Sequence, residues 1–423
     1  MPPLPIAIGD AALNQIYRSG YMADTCYSDR PLLAMMPKFE GFSGRNMPIV
    51  NLYGHPAGRS QVFGVAQANA NPSQLDDFLL TRVHDYGVTQ IDGETADCMA
   101  AEGKGAWING MTMEIDGILN QTADNLHGML YGDGMGFRGT VAGVVLTVLT
   151  LTNAADAANF EVGMWIDGTT AAGVAAPHGF PNQIVGVDRI AGTITGAVNW
   201  NAAFIATDRL FVQGDYTAIG STNMVSGLEA WVPPAAPGAG LFFGVNRTAD
   251  ITRLGGLRQA ALGGTVEEAL VTAAYLVDAH GGRSSHCFLN PVNYRQLSID
   301  LGAKRSYTTE TVKSGHVGVK APISFKSIVI DGPKGPIYCI SDYKCPLGIA
   351  WMLQLDTWVL ASLGAAPKII NSRDGNRWLR IGNQDGYEIR VGYYAQVGCR
   401  RIAGSPCSGG GPWQTGAFLV LES

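Results

Sequence analysis

Gly134-Met135-Gly136-Phe137-Arg138-Gly139 matches the spacing of a dinucleotide fingerprint, in which glycines let amides at a helix N-terminus approach a pyrophosphate. That chemistry needs a strand before the motif and a helix after it. Here a helical period precedes the run and a β-like one follows, so the glycines are expected to stop a helix. His280, His286 and Cys287 lie close in sequence, as do Cys339 and Cys345; neither spacing is a usual zinc pattern, and packing is the expected role. The chain has no Gly-x-Ser-x-Gly elbow and no His-Glu-x-x-His, and Gly103-Lys104 lacks the upstream glycine and following Ser/Thr of a phosphate loop. Glu114 with Asp116 and Glu267 with Glu268 are candidate acid–base pairs, but acids near a helix start more often serve the helix dipole. No catalytic residue, cofactor or metal ion is expected.

Composition points away from an ordinary exposed surface. Charged residues make up 15% of the 423, against roughly 25% in soluble domains, and 55 are glycine. Depletion of charge marks the centres of permanent interfaces, where an unpaired charge out of water is costly. Obligate assembly is the natural expectation, and a glycine-rich β protein with a neutral surface is the alternative. A formal net charge of -6 argues against condensing nucleic acid by phosphate neutralisation, so contact with DNA is expected to be weak and local. Seven cysteines, an odd number, leave at least one thiol free and fit a reducing cytoplasm. Residues 1–10 lack the basic and apolar regions of an export signal. The most apolar charge-free run, 139–155, is shorter than the ~20 residues of a membrane helix and is rich in Thr and Val, so no membrane span is expected.

The elements that would position any site follow from periodicity. Residues 1–44 hold short apolar pieces without a sustained period and read as an arm lying across neighbours. Met47-Pro48-Ile49-Val50, a turn region at 54–58, a polar Ala/Asn tip and extended runs over 78–83 and 86–91 read as a long two-stranded flap. Between 104 and 131 the period becomes helical, with Trp107, Met111, Ile115, Ile118, Leu119, Thr122, Leu126, Met129 and Leu130 on one side, giving a spine about 40 Å long. Residues 140–216 are β-like throughout and are followed by a Pro/Gly-rich stretch over 231–244. Thr265 and Glu268 form a capping box ahead of Val266, Ala269, Leu270, Ala273, Ala274 and Val277. Asn290-Pro291 opens another helix that stops at Gly302. Strands follow over 325–330 and 337–341, with a hairpin signal at Asp374-Gly375. Tyr387, Ile389, Val391 and Tyr393 then alternate with polar or small residues, one face buried and one wet.

Arm, flap, spine helix, α/β unit and C-terminal strands in this order resemble the major capsid proteins of tailed double-stranded DNA bacteriophages. Local stretches carry the same resemblance: Asp77-Phe78-Leu79-Leu80-Thr81-Arg82-Val83, Phe288-Leu289-Asn290-Pro291 with Tyr294 and Leu297, and Cys345-Pro346-Leu347-Gly348 before Leu355-Asp356-Thr357-Trp358. It covers nearly all of the chain outside 140–216. The implied fold is α+β, the Hong Kong 97-type capsid fold with N-arm, extended E-loop flap, spine helix, peripheral and axial domains, and an inserted small β-barrel or sandwich domain. The implied division is an arm at 1–45, a flap at 46–91, a peripheral domain with the spine helix at 92–139, the inserted domain at 140–216, an axial domain at 217–324 and returning axial or peripheral strands at 325–423. In this division the strands after Phe325 fall mainly to the peripheral domain.

The implied function is structural. Such a subunit self-assembles as hexamers and pentamers into an icosahedral head around double-stranded DNA, in the virion, after assembly in the host bacterial cytoplasm. Implied partners are further copies of the chain, a separate scaffolding protein, a portal protein, a decoration protein and the packaged DNA, with no membrane. Candidates for inter-subunit contact are Arg59, Phe63 and Arg82 around the flap and Arg373, Asp374 and Arg377 on a loop that would approach local three-fold contacts. The inserted domain is expected to stabilise the subunit and touch neighbouring capsomers. Alternatives are an encapsulin-type nanocompartment shell, a nucleotide-dependent enzyme using Gly134, Gly136 and Gly139, and a β-rich secreted binding module. Some relatives cross-link subunits through a flap lysine, but no lysine lies between Arg45 and Gly103. Particles boiled in detergent should therefore run as a single monomer band, and a covalent ladder would overturn that expectation.

Overall fold

A computed structural model describes residues 26–94, 104–170, 176–200, 204–216, 223–259, 264–312, 323–371, 377, 379–382, 385–399 and 416–421. The helix read from the period spans Lys104–Met129. It buries Ile115, Leu119, Ala123, Leu126 and Met129; the side chains of Trp107 and Met111 lie outside the described residues. The helix lies on a six-stranded sheet whose organising strand is Gly386–Cys399. That strand pairs with Trp358–Ser362, Lys368–Ile369 and Leu379–Arg380, and over ten positions with Val83–Asp92. Helix and sheet meet closely at Gly87, where a Cβ would come within 2.8 Å of Ile118, so only glycine fits there.

Three expectations change here. The run over 86–91 is not the second strand of the flap, because its pairing partner is the distant strand at 386–399. The alternation of Tyr387 to Tyr393 gives way to burial on both faces from Val391 through Val397, apart from half-buried Tyr394. There the strand has become interior, with a neighbour on each side. The segment read as an arm also differs: from Cys26 onward it belongs to the subunit core. Leu32 and Leu33 are fully buried, and Lys38–Phe39 adds a parallel strand beside Leu360–Ala361.

A second sheet of seven strands runs in the order Leu257–Gln259, Gly416–Val420, Ile349–Leu353, His286–Leu289, Gly335–Ser341, Ile323–Gly332, Ser306–Val312. Alternate residues divide between two cores, as the two-residue side-chain period requires. Cys287, Leu289, Cys339 and Met352 face the helices Val266–Ala279 and Pro291–Leu301, while Phe288, Ile340, Trp351 and Leu353 join the main core. The capping box at Thr265 and Glu268 is present, and Asn290 caps its helix by accepting from the Val292 amide. Because the strands over 323–341, 349–353 and 416–420 pair into this sheet, a boundary at Phe325 falls within it, and the strands between Trp358 and Cys399 pair instead into the six-stranded sheet.

Between the long helix and the rest lies a closed six-stranded barrel. Its strands run Arg209–Val212, Phe137–Val145, Val148–Leu151, Thr193–Gly196, Asn182–Asp188, Trp165–Thr169 and back to the first. It has its own core of Leu149, Phe160, Ile166, Ile194, Trp200 and Leu210. The glycine run stands at its entrance: Gly134 and Gly136 have φ of 90° and 80° after the helix ends, and Phe137 already begins the barrel, slightly ahead of the boundary at 140.

Helix, sheets and N-terminal segment meet at one buried carboxylate. Asp342, at the end of Gly335–Ser341, is 1% exposed. His127 Nε2 lies 2.8 Å from its Oδ2, the Tyr131 hydroxyl donates to the same oxygen at 2.8 Å, the Leu32 amide donates at 3.4 Å, and the Lys344 amide donates to Oδ1 at 3.0 Å. Burial acts to raise this carboxyl, but His127 and the donated hydrogen bonds hold it below the ordinary carboxylate value. Beside it Arg30 bonds Asp124 at 2.7 Å, which also accepts from Tyr343 at 2.7 Å. Removing one member of a buried charged set leaves the others unsatisfied, at about 3–5 kcal/mol. Asp342→Asn should lower unfolding free energy by about that much in urea denaturation; a loss under about 1 kcal/mol would show that these partners rearrange without cost.

Candidate assembly surface

The flap is an antiparallel hairpin of Asn46–Gly54 with Gln74–Thr81, registered from Asn46 opposite Thr81 to Gly54 opposite Gln74. Its two faces have opposite fates. Ile49, Phe78 and Leu80 point inward and are 4%, 0% and 0% exposed. Val50, Leu75 and Leu79 point outward, and the short helix Phe63–Ala68 at the tip buries none of its residues. Phe63 is 81% exposed and Val62 61%. The sequence reads this tip as polar and without secondary structure, and the helix there is a finding of the structure.

The flap is held at its base by an aromatic cluster built from the Pro/Gly-rich stretch. Trp231 packs on Phe78 at 5.1 Å between ring centroids, on Phe242 at 5.1 Å and on Trp358 at 6.3 Å, and its indole N–H donates to the Val397 carbonyl. Such pairs add to area burial through their offset and edge-on geometries. The Leu79 amide donates to the Phe243 carbonyl at 2.9 Å, and Arg253 donates to the Tyr53 carbonyl at 2.6 Å. Gln396 joins the base by donating to the Thr81 carbonyl and accepting from the Ser226 amide.

The residues singled out from sequence are dispersed. Arg59 is exposed on the flap and Phe63 sits at its tip. Arg82, at the flap's exit, is half-buried and turned inward, donating to the Phe42 carbonyl at 2.8 Å over the Phe42 ring. Arg377 is half-buried, and Arg373 and Asp374 lie outside the described residues, as does the hairpin signal at Asp374-Gly375. The candidate chemical clusters resolve into packing. Cys287 stands opposite Cys339 on adjacent strands; its hydrogen bond with that thiol, together with burial, pushes Cys287 well above its ordinary value. Burial pushes the His286 imidazole down to about 4, and it lies beside the Tyr338 ring. Among the described residues no three His, Cys, Asp or Glu side chains converge as a metal site, and no helix is long and apolar enough to cross a membrane.

No family model matches the chain and no curated protein matches it. Solved structures do. The cyanophage A-1(L) capsid asymmetric unit is similar with a TM-score of 0.49 at 12% identity, covering 93% of this chain and 92% of that one. The capsid of a native GTA particle gives 0.44 at 8%, covering 94% and 91%. The holo-SrpI encapsulin complex from Synechococcus elongatus PCC 7942 gives 0.41 at 10%, covering 97% and 94%. The phage capsid proteins anticipated from the sequence are thus among the chain's structural neighbours. These are similarities of layout at low identity; the architecture stands on the chain's own strand order and packing.

Two phenylalanines of one flap should separate its faces. Phe78→Ala removes a fully buried ring at about 3–5 kcal/mol, whereas Phe63→Asp should change the isolated chain's stability by no more than about 0.5 kcal/mol in urea denaturation. Equal losses would show that the tip packs within the subunit.

Proposed function

We propose that this chain is the shell-forming subunit of a tailed double-stranded DNA phage head, with the Hong Kong 97-type fold, and that it acts mechanically rather than as an enzyme. One observation carries the reading: a hairpin flap stapled to the core along one face presents Leu75 and Leu79 to solvent along the other and Val62, Phe63 and Val65 at its tip. An apolar surface of that kind on a charge-poor chain is stabilised by association. In this reading the flap lies over an adjacent copy, and Arg59, Phe63, Arg82, Arg373, Asp374 and Arg377 contribute to contacts between subunits. The long helix and six-stranded sheet form the peripheral domain, and the seven-stranded sheet with its two helices forms the axial domain around hexamer and pentamer centres. The barrel is an inserted domain that stabilises the subunit and touches neighbours.

Weak contacts repeated around a closed shell become strong together, because each subunit is held by several at once. A separate scaffolding protein, a portal and a decoration protein complete the assembly, and the DNA inside is touched weakly. The nanocompartment alternative uses the same architecture and differs in cargo, an enclosed enzyme instead of a genome. Electron microscopy of the purified chain after size-exclusion chromatography should show closed particles or rings of five and six, and Phe63→Asp should reduce their yield. A discrete monomer or dimer under every assembly condition would overturn the shell reading, and the particle contents separate the two kinds of shell.

A further inference from the structure

Where the barrel meets the body, the long helix, the strand Val83–Asp92 and the loop around Lys344 enclose two adjoining clefts of about 250 and 620 Å³. From the barrel side Asp156, Asp215 and Glu161 face them. From the body side come Asp85 on the strand, Asp124 and Asp133 on or just past the long helix, and Glu229 on the short helix Leu228–Trp231. Against these seven carboxyl groups stand five cations: Arg138, Arg209 and Lys344 on the lining, Arg30 beside Asp124 and Arg189 beside Glu161. The three lining cations are poorly matched to the remaining acids. Arg138 is 3.8 Å from Asp215 and Arg209 is 3.8 Å from Asp133, while Lys344 donates to the Ala158 carbonyl and the Asn159 amide oxygen instead of a carboxylate.

We propose that this seam is a proton-operated joint, closed when its carboxyl groups are neutral and loosened when they ionise, so that the barrel's attachment to the body depends on pH. Ionising every acid would leave like charges facing each other across half-buried clefts, where water screens them poorly. Among the described residues no three His, Cys, Asp or Glu side chains converge as a metal site, and uptake of protons relieves the excess charge directly. Asp124 and Glu161 are well compensated: at Asp124 burial acts to raise the carboxyl, but Tyr343 and Arg30 bring it below its ordinary value, and Glu161 is exposed and accepts from Arg189 at 2.7 Å.

The direction of the response follows from the groups at the joint. Burial without any counter-ion raises Asp156 to about 6. Burial raises Asp215 to about 7, with Arg138 opposing and Asp85 adding to the shift. Burial also takes Glu229 to about 7, with Asp133 adding and Arg209 opposing, and it raises Asp133. Burial lowers Lys344, but only to about 8, so its charge persists over the range in which these acids titrate. Carboxyl groups whose values are higher in the closed joint than in an open or unfolded one, about 4, stabilise closure fully below that value. Their contribution is lost as pH rises through about 6 to 7. The barrel should therefore be held most firmly in mild acid and released toward alkaline pH.

Hydrogen–deuterium exchange of the purified full chain tests this, reading peptides over 125–140 and 209–216 after correction for intrinsic exchange rates. The opening constant should rise about tenfold or more between pH about 5.5 and pH about 8, while peptides from the helix Val266–Ala279 stay unchanged. Asp156→Asn, Asp215→Asn and Glu229→Gln together should bring that ratio close to one. If the triple variant does not fold, Asp215→Asn alone should shrink it. Equal protection of the native chain at both pH values, or a ratio unaltered in the folded variants, would overturn the joint. The readout uses a single chain and is independent of shell formation.

Discussion

A carboxylate withdrawn from water has to be met by donors, and Asp342 draws them from two distant parts of the chain as well as from its own turn. The Leu32 amide comes from the N-terminal segment, His127 and Tyr131 from the long helix and its end, and the Lys344 amide from the turn after the strand that carries Asp342. Each donor is useful only if the other segments are already in place, which ties the two sheets and the helix into one arrangement. A well-packed apolar residue at that position would fill the space without imposing the same geometry. Arg30 extends the set by bridging Asp124 and the helix carbonyl of Asn120, so the segment over 26–36 is fixed at both its polar and its apolar side chains.

With that frame fixed, surfaces divide by their chemistry. The faces of the seven-stranded sheet are both covered, one by its two helices and one by the main core, and the barrel closes on itself so that it leaves no sheet edge. The flap, by contrast, carries an apolar face that the subunit does not bury. Low charge in the sequence and unburied apolar area on the flap are two views of the same composition, which leaves the subunit more apolar surface than it covers itself. The seam under the barrel is the opposite case, a half-buried region with more acids than its cations neutralise.

Legibility in the sequence followed the range of the interactions concerned. Thr265 with Glu268 and Asn290 with Pro291 announce helix starts because a cap is a contact over two or three residues. The long helix, the β character of 140–216 and the glycine stop at 134–136 are likewise local signals. The flap was legible as extended chain, but its pairing was not, and its inner face depends on Trp231, hidden in a Pro/Gly-rich stretch. His127 and Asp342 are 215 residues apart, and nothing in either neighbourhood marks a buried hydrogen-bonded pair. Cys26, Leu32 and Leu33 show no period because they fill gaps in a core built by other elements. The acids of the seam run from Asp85 to Glu229 and become a group only through the packing of the barrel.

The pairing of Val83–Asp92 with Gly386–Cys399 has a mechanical side. The flap strand Gln74–Thr81 continues through Arg82 directly into Val83–Asp92, so tension drawn along the flap enters a ten-position antiparallel ladder. The hydrogen bonds of such a ladder lie across the strands. A pull along the chain therefore loads them side by side, in shear, and they yield together; a pull at right angles would open them in turn like a zipper. The flap is rooted in the direction that resists extraction, and the long strand at its root passes that load to the neighbouring strand Trp358–Ser362.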